Sequence, residues 1–285
     1  MTRNDFRFFD RLRVRWAEVD MQKIVFNAHY LMYFDTAVAG YWRALALPYE
    51  QTMHDLGGDL YVRKATVEYE GSARYDDQLD VGLRCARIGR SSMQLQGAVF
   101  RGEQCLVTGD LVYVFADPST QTSREVPPEL RAVLGGFEAG EPMVDVQLGT
   151  WDRLGREAQA IRTAVFVDEQ RIPAELETDA ADASAVHALA LNRLGRAVGT
   201  GRLLEHAPGV SKIGRMAVLQ AVRGSGVGAA MLDGLLRAAR ERGDREVRLN
   251  AQASAVGFYL RRGFAPPGPA FEEAGIPHPA LAIER

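Results

Sequence analysis

Residues 214–236 read GRMAVLQAVRGSGVGAAMLDGLL. Ile213, Met216, Val218 and Leu219 form a short apolar run with glycine on one side and polar residues on the other, which predicts a β-strand. Ala230, Met231, Leu235 and Ala238 recur at helical spacing, and Leu232 and Leu236 widen the stripe to the breadth of a helix packed on a sheet. Between strand and helix stand Arg223, Gly224, Ser225, Gly226, Val227 and Gly228. Glycines at such a junction let the backbone take left-handed angles and come close to a ligand, while the first amides of the helix have no partner inside it. Together with the helix dipole they favour a phosphate or pyrophosphate. Such a turn also serves as a tight-packing connection, and spacing alone leaves both readings open. The G-x-G-x-x-G spacing of dinucleotide sites is absent, as is the Gly-Lys-Ser/Thr ending of a P-loop, so a different phosphate ligand is implied.

Downstream stand Asn250-Ala251-Gln252 and Gly257-Phe258-Tyr259-Leu260-Arg261-Arg262-Gly263-Phe264. With Arg223-x-x-Gly226-x-Gly228, these resemble the acetyl-CoA loop and C-terminal half of GNAT acetyltransferases. Upstream, Arg162, Phe166, Glu169, Gln170, Pro173, Glu175, Glu177, Asp179 and His187, together with Gly275-Ile276-Pro277-His278, resemble the ElaA-like branch. The resemblance implies that residues 223–228 hold the pyrophosphate of acetyl-CoA, that Met216 and Val218 offer strand amides to its pantetheine arm, and that Asn250 lies near the cofactor. It makes Tyr259 the acid that protonates the departing thiolate, although without it a Phe-Tyr pair on an amphipathic helix reads as core packing. Glu177, His187 and His278 match polar positions of the pattern. Any of them can take the amine proton, with His278 assigned to substrate binding; a lone histidine is more often structural.

The chain has 285 residues, above the usual single-domain size, and at 47% hydrophobic it can build two cores. A formal net charge of -3 gives no general attraction to nucleic acid or to an acidic membrane surface. There are 2 cysteines, Cys85 and Cys105, both in strand-like apolar segments, so neither a disulfide framework nor a cysteine metal site is expected. No His/Cys/Asp cluster has metal-ligand spacing, and no metal is expected. No secretory signal is visible and no apolar run approaches the roughly 20 residues that cross a bilayer, so a soluble, cytoplasmic protein is expected.

In the first half, residues 8–16 alternate Phe9, Leu12, Val14 and Trp16 with polar neighbours, as a half-buried strand does. A loop holding Glu18 and Asp20 follows, then Asn27, a candidate helix cap. Leu31, Phe34, Val38, Tyr41, Trp42 and Leu45 lie at spacings of three and four, predicting a long helix ended near Pro48. Four strand-like segments, 61–69, 79–88, 91–100 and 105–115, are joined by turn signals at Gly89-Arg90 and Gly102-Glu103, so the strands are expected to be antiparallel neighbours. One helix wrapped by a curved antiparallel sheet is the hotdog arrangement. Val19-Asp20-Met21-Gln22-Lys23-Ile24-Val25-Phe26-Asn27-Ala28-His29-Tyr30-Leu31, with Tyr33-Phe34, resembles the signature of acyl-CoA thioesterases of the 4-hydroxybenzoyl-CoA and YbgC type. That resemblance covers about residues 8–120 and departs where Lys23 replaces a frequent glycine.

It implies that Asp20 attacks the thioester or activates water, with the first amides of the helix, around residues 28–30, polarising the carbonyl. Glu18, Asn27 and His29 are the nearby alternates, with Asn27 and His29 assigned to substrate binding. The commoner use of these residue types is that Asp20 turns the loop and Asn27 caps the helix. Pro128 opens a short helix reaching Val133, and residues 135–142 form the best linker. The expected whole is α+β: a hotdog domain, 1–137, that joins copies into a homo-oligomer, and a mixed α/β GNAT domain, 138–285. The expected activity is bifunctional, hydrolysing acyl-CoA and transferring acetyl from acetyl-CoA to an unidentified amine. Rival readings are a transferase whose hotdog half only binds acyl-CoA or dimerises, and a non-catalytic CoA-thioester sensor.

Overall fold

A computed structural model describes residues 1–266, 271–273, 276–278 and 280–284, with only the backbone path for 271–273 and 276–278. The chain forms two compact units, Met1–Met143 and Val144–Arg285. The first combines helices with an antiparallel sheet and the second has a mixed sheet with helices, as expected.

In the first unit β1 (Phe8–Arg13) precedes the long helix α1 (Asn27–Ala44) and a short α2 (Tyr49–Leu56). Then come β2 (Asp59–Tyr69), β3 (Gln78–Ile88), β4 (Ser92–Arg101), β5 (Gln104–Ala116) and α3 (Pro128–Ala139). The five strands form one antiparallel sheet in the order β1-β3-β4-β5-β2. α1 lies across this sheet, and a pair of glycines explains how closely. Gly97 and Gly109 face each other across β4 and β5, and a Cβ on either would come within 2.6 Å of the Phe34 ring. The missing side chains leave a hollow that Phe34 fills completely, at 0% exposure.

That knob sets the rotation of the helix. The buried face carries Tyr30, Tyr33, Phe34, Ala37, Tyr41 and Trp42, not the predicted Leu31, which is 41% exposed. Each buried aromatic contributes about 1.5–3 kcal/mol. β1 is shorter than the alternation predicts, because at Val14 the backbone turns to pair with Asp77 and Asp76 (2.9 and 3.1 Å) and residues 16–18 close a single turn. α3 runs through Gly135 and Gly136, which the sequence reading assigns to a linker. Leu130, Val133 and Leu134 are buried on one face, and that packing outweighs about 1 kcal/mol of propensity lost at each glycine.

The second unit comprises β6 (Val144–Gly149), α4 (Trp151–Arg162), which continues into a π-helical segment Thr163–Glu169, then β7 (Val186–Asn192), β8 (Ala197–Ala207) and β9 (Val210–Val218). Beyond these are α5 (Val227–Arg242), β10 (Glu246–Asn250), α6 (Val256–Leu260), the hairpin β11 (Phe271–Glu273) and β12 (Ile276–His278), and β13 (Ala280–Glu284). The six-stranded sheet runs β13-β10-β9-β8-β7-β6. β6 to β9 are antiparallel neighbours, whereas β9 and β10 are parallel and joined across one face by α5. α5 buries Met231, Leu232, Leu235, Leu236 and Ala239, close to the predicted stripe.

Candidate active sites

In the second unit β9 carries the geometry. It pairs with β10 only as far as Ile213 opposite Leu249, and from there through Val218 no strand pairs with it on that side among the described residues. On its other side its register with β8 slips between Thr200 and Arg202, and Arg215, at φ 52, sits in the bulge. Met216 and Val218 are thus half-buried strand residues whose β10-side edge has no partner strand among the described residues. Such an edge accepts an extended ligand as it would another strand.

The chain leaves β9 through a turn at Gln220–Val222 and reaches Gly224 (φ 86) and Gly226 (φ 91), both left-handed. A side chain at either is disfavoured by about 1–3 kcal/mol of backbone strain, and nothing within 4 Å would meet it. The Ser225 hydroxyl donates to the Val222 carbonyl (2.6 Å), shaping the turn. Ala230 N–H to Gly226 O (2.9 Å) is a helical bond at the start of α5, so the amides of residues 227–229 have no acceptor within the helix. Arg223 donates from Nε to Val218 O (3.0 Å) and from both terminal nitrogens to Glu169 (2.6 and 2.6 Å).

α6 lies beside this turn, for a Cβ on Gly228 would be 3.8 Å from the Phe258 ring, and Arg262 bonds Asp233 of α5 (3.0 Å). Tyr259 on α6 is 7% exposed, edge-on to Phe258 and Phe264, and burial pushes its phenol up to about 12. Asn250 ends β10, in register with Ala280.

Glu177 and His187 are not on an open surface. Arg162, 1% exposed, bonds the Glu177 carboxylate and both oxygens of Asp182 (2.9 and 3.1 Å), and its guanidinium lies 5.3 Å from the Trp151 ring. Arg202 joins Asp182 (2.8 Å) to Asp179 (2.6 Å), and Arg215 bonds the carbonyls of Leu176 and Glu177 and the Asp179 carboxylate. Burial alone would raise the Asp182 carboxyl, but its hydrogen bonds from Arg162 and Arg202 outweigh that and hold it below the usual range. The Arg202 bonds likewise lower Asp179. His187 meets the Asp182 carbonyl through Nε2 (2.9 Å), which fixes the proton on that nitrogen, and burial lowers its pKa. The sequence contained Arg162, Glu177, Asp179 and His187 as a pattern but gave no sign of Arg202 or Asp182 as their partners. The side chain of His278 lies outside the described residues, and Gly275 is not among them.

In the first unit Asp20 sits half-buried in a closed loop. Val19 and Val25 bridge, Asp20 N–H donates to Ile24 O (2.9 Å), and Lys23 N–H to Asp20 O (2.9 Å). Asp20 Oδ1 accepts the Gln22 amide (2.8 Å), the turn-forming use of this residue. Lys23 has φ 63, a left-handed backbone that glycine takes without strain, which gives the family glycine at this position a conformational reason. Asn27 is the first helical residue and not the cap. Phe26 holds the non-helical cap position (ψ 132) without a side-chain bond, so Asn27 is exposed at the helix entry next to half-buried His29. The loop is held by Glu18, 3% exposed, which accepts from the Arg15 amide (2.8 Å), the Arg15 side chain (2.6 Å) and the Tyr33 hydroxyl (2.8 Å). Burial pushes the Glu18 carboxyl up, and those three bonds more than reverse it. Exposed apolar residues surround the loop: Trp16, edge-on to Tyr75, with Met21 and Phe26. Among the described residues no group of three or more His, Cys, Asp or Glu stands where it could hold a metal, and no helix is long and apolar enough to cross a membrane.

Comparison with known proteins gives two separate matches. Residues 153–284 match the family described as acetyltransferase (GNAT) domain, and residues 14–134 the thioesterase-like superfamily. "Uncharacterized N-acetyltransferase YjcF" of Bacillus subtilis is 36% identical over 124 residues, 43% of this chain and 87% of the relative. A "Putative esterase" of Aquifex aeolicus is 32% identical over 94 residues, 33% of this chain and 73% of the relative. The crystal structure of Escherichia coli ElaA is 30% identical, covering 50% of this chain and 100% of that one, at a TM-score of 0.45. The chain belongs to two families in succession, the thioesterase-like superfamily with its hotdog fold in the first half and the GNAT acetyltransferases in the second.

Proposed function

We propose that this is a bifunctional coenzyme A-thioester enzyme, hydrolysing acyl-CoA in residues 1–137 and transferring acetyl from acetyl-CoA to an amine in residues 138–285. The observation that carries the reading is the edge of β9 beyond Ile213, unpaired among the described residues, leading straight into the left-handed turn at 224–226 and the helix-entry amides of 227–229. The strand edge suits the amides of a pantetheine arm, and the turn suits a pyrophosphate. The amine nitrogen attacks the acetyl carbonyl, the tetrahedral adduct collapses, and Tyr259 gives its proton to the leaving thiolate. With a phenol pushed up to about 12, that proton is in place throughout the neutral range. Glu177 and His187 are committed to Arg162 and to the Asp182 carbonyl, so in this reading they brace the acceptor side and the amine proton leaves through water.

In the first half Asp20 acts as base or nucleophile, beside the entry of α1 where Asn27 and His29 contact the substrate. The exposed apolar rim at Trp16, Met21 and Phe26, and the largely exposed edge strand β2, support a homo-oligomer that covers them and completes the acyl pocket. Two free cysteines, Cys85 and Cys105, fit a cytoplasmic home.

The test is release of free thiol from a panel of CoA thioesters, with and without amines. Asp20→Asn should lower hydrolysis roughly 10²-fold and leave amine-dependent release intact, and Tyr259→Phe should do the reverse. Hydrolysis that survives Asp20→Asn assigns the first half to binding alone. Loss of hydrolysis in Tyr259→Phe reduces it to leakage from the transferase.

A further inference from the structure

Glu169 and Gln170, adjacent at the end of the π-helical segment, reach in two directions. Glu169 takes both terminal nitrogens of Arg223 (2.6 and 2.6 Å), in the turn after β9. Gln170 Oε1 accepts from Gln252 Nε2 (2.8 Å), in the loop after β10. These loops follow the two strands whose pairing stops at Ile213 and Leu249, so two successive residues tie together the far ends of strands that have parted. A simple surface ion pair carries little by itself. This one differs because Arg223 is already held from Nε to the Val218 carbonyl, so three of its five N–H donors are fixed and the guanidinium plane has one orientation. Its charge is matched by the carboxylate. A π-helical turn, less stable than an α-turn, is itself a feature concentrated at functional sites.

We propose that Glu169 and Gln170 are positioning residues that hold the two lips of the acetyl-CoA cleft together, and that they couple cofactor binding to the order of residues 170–185, which carry the acceptor-side contacts to Arg202 and Arg215. The proposal rests on the acetyl-CoA reading of the glycine turn. In it, Glu169 keeps the Arg223 charge from the phosphates, which are met by backbone amides, and spends that charge on the strap. Affinity for the cofactor is held below what the turn can reach, in exchange for an ordered acceptor side.

The experiment is calorimetric titration of the full chain with acetyl-CoA, together with hydrogen exchange of residues 170–185 with and without acetyl-CoA. Parent, Glu169→Gln and Gln170→Ala are compared, with Gly226→Val as the control for the turn. Glu169→Gln keeps the size and frees Arg223, so it should bind acetyl-CoA about fivefold more tightly, the gain shrinking at about 0.5 M salt as an exposed charge effect must. A side chain serving only to stabilise the fold would leave affinity unchanged or weaken it. In the parent, acetyl-CoA should slow exchange across 170–185; in Gln170→Ala and Glu169→Gln it should not. Unchanged or weaker binding by Glu169→Gln, or equal protection in all three, overturns the strap while the Gly226→Val control still upholds the turn. A parent that binds acetyl-CoA no better than Gly226→Val overturns both.

Discussion

Replacing Arg162 with methionine keeps an unbranched stem about as far as Nε and removes a charge that is 1% exposed. Breaking a buried pair by removing one partner costs about 3–5 kcal/mol, because the other charge is left uncompensated. The geometry decides where in that range the variant falls. Among the described residues Asp182 keeps Arg202 at 2.8 Å, whereas the Glu177 carboxylate keeps the Thr178 hydroxyl (2.8 Å) as its one hydrogen bond, so one carboxylate and not two is stranded. About 3 kcal/mol is expected at neutral pH, and at roughly 2–4 °C per kcal/mol the melting temperature should fall by about 6–12 °C. The pH dependence has a definite sign. The Asp182 carboxyl is depressed in the folded protein, so its contribution is present above the unfolded value near 3.9 and is lost as pH falls through the folded value. Without Arg162 the depression of the Asp182 carboxyl shrinks. The gap between parent and variant should therefore hold from pH 7 down to about pH 4 and narrow as pH falls below that toward about 3. Calorimetric unfolding at about pH 7 and about pH 3 is the assay. A loss below about 1 kcal/mol at pH 7, or a gap that widens in acid, would refute the view of this cluster as a charge-balanced buried network.

Three shorter expectations accompany it. Gly97→Ala brings a Cβ within 2.6 Å of Phe34 and 2.9 Å of Leu83, and by overpacking it should cost about 1–3 kcal/mol in urea unfolding; no measurable loss would contradict the tight seat of α1. Gly226→Val forces a branched side chain to φ 91 and should abolish acetyl-CoA binding in calorimetry while far-UV circular dichroism stays unchanged; full affinity would remove the turn from the site. The full chain should sediment at micromolar concentration as a dimer or larger through the first unit, and a stable monomer would leave the exposed edge of β2 unexplained.

Local periodicity carried much of the architecture. The hairpins, the strand-turn-helix at 210–242 and the loop at 14–26 were legible because each is decided by residues within a few positions of one another. The face of α1 was not, since Phe34 is seated by two glycines on strands far along the chain. Asn27 looked like a cap because it has the right side chain, yet capping is decided by backbone angles, and those belong to Phe26. The Arg162 cluster was equally hidden: Arg202 lies 23 residues from Asp179, and Arg223 lies 54 from Glu169, so no window short enough to show a period contains both partners. A family resemblance can point to such residues one by one, but it does not say which of them touch.

The hollow under Phe34 also acts as a key for strand alignment. Gly97 and Gly109 must be opposite each other for the ring to enter, and their neighbours Gln96 and Asp110 form the adjacent pair. A slip of one position between β4 and β5 would turn one strand's polar side chains toward the helix. A slip of two would keep the faces but separate the glycines by about 7 Å, leaving half a socket. Docking of the helix thus checks the pairing of two strands that a short Gly102 turn alone would leave free to mispair, so an error in strand alignment is detected as a helix that fails to seat.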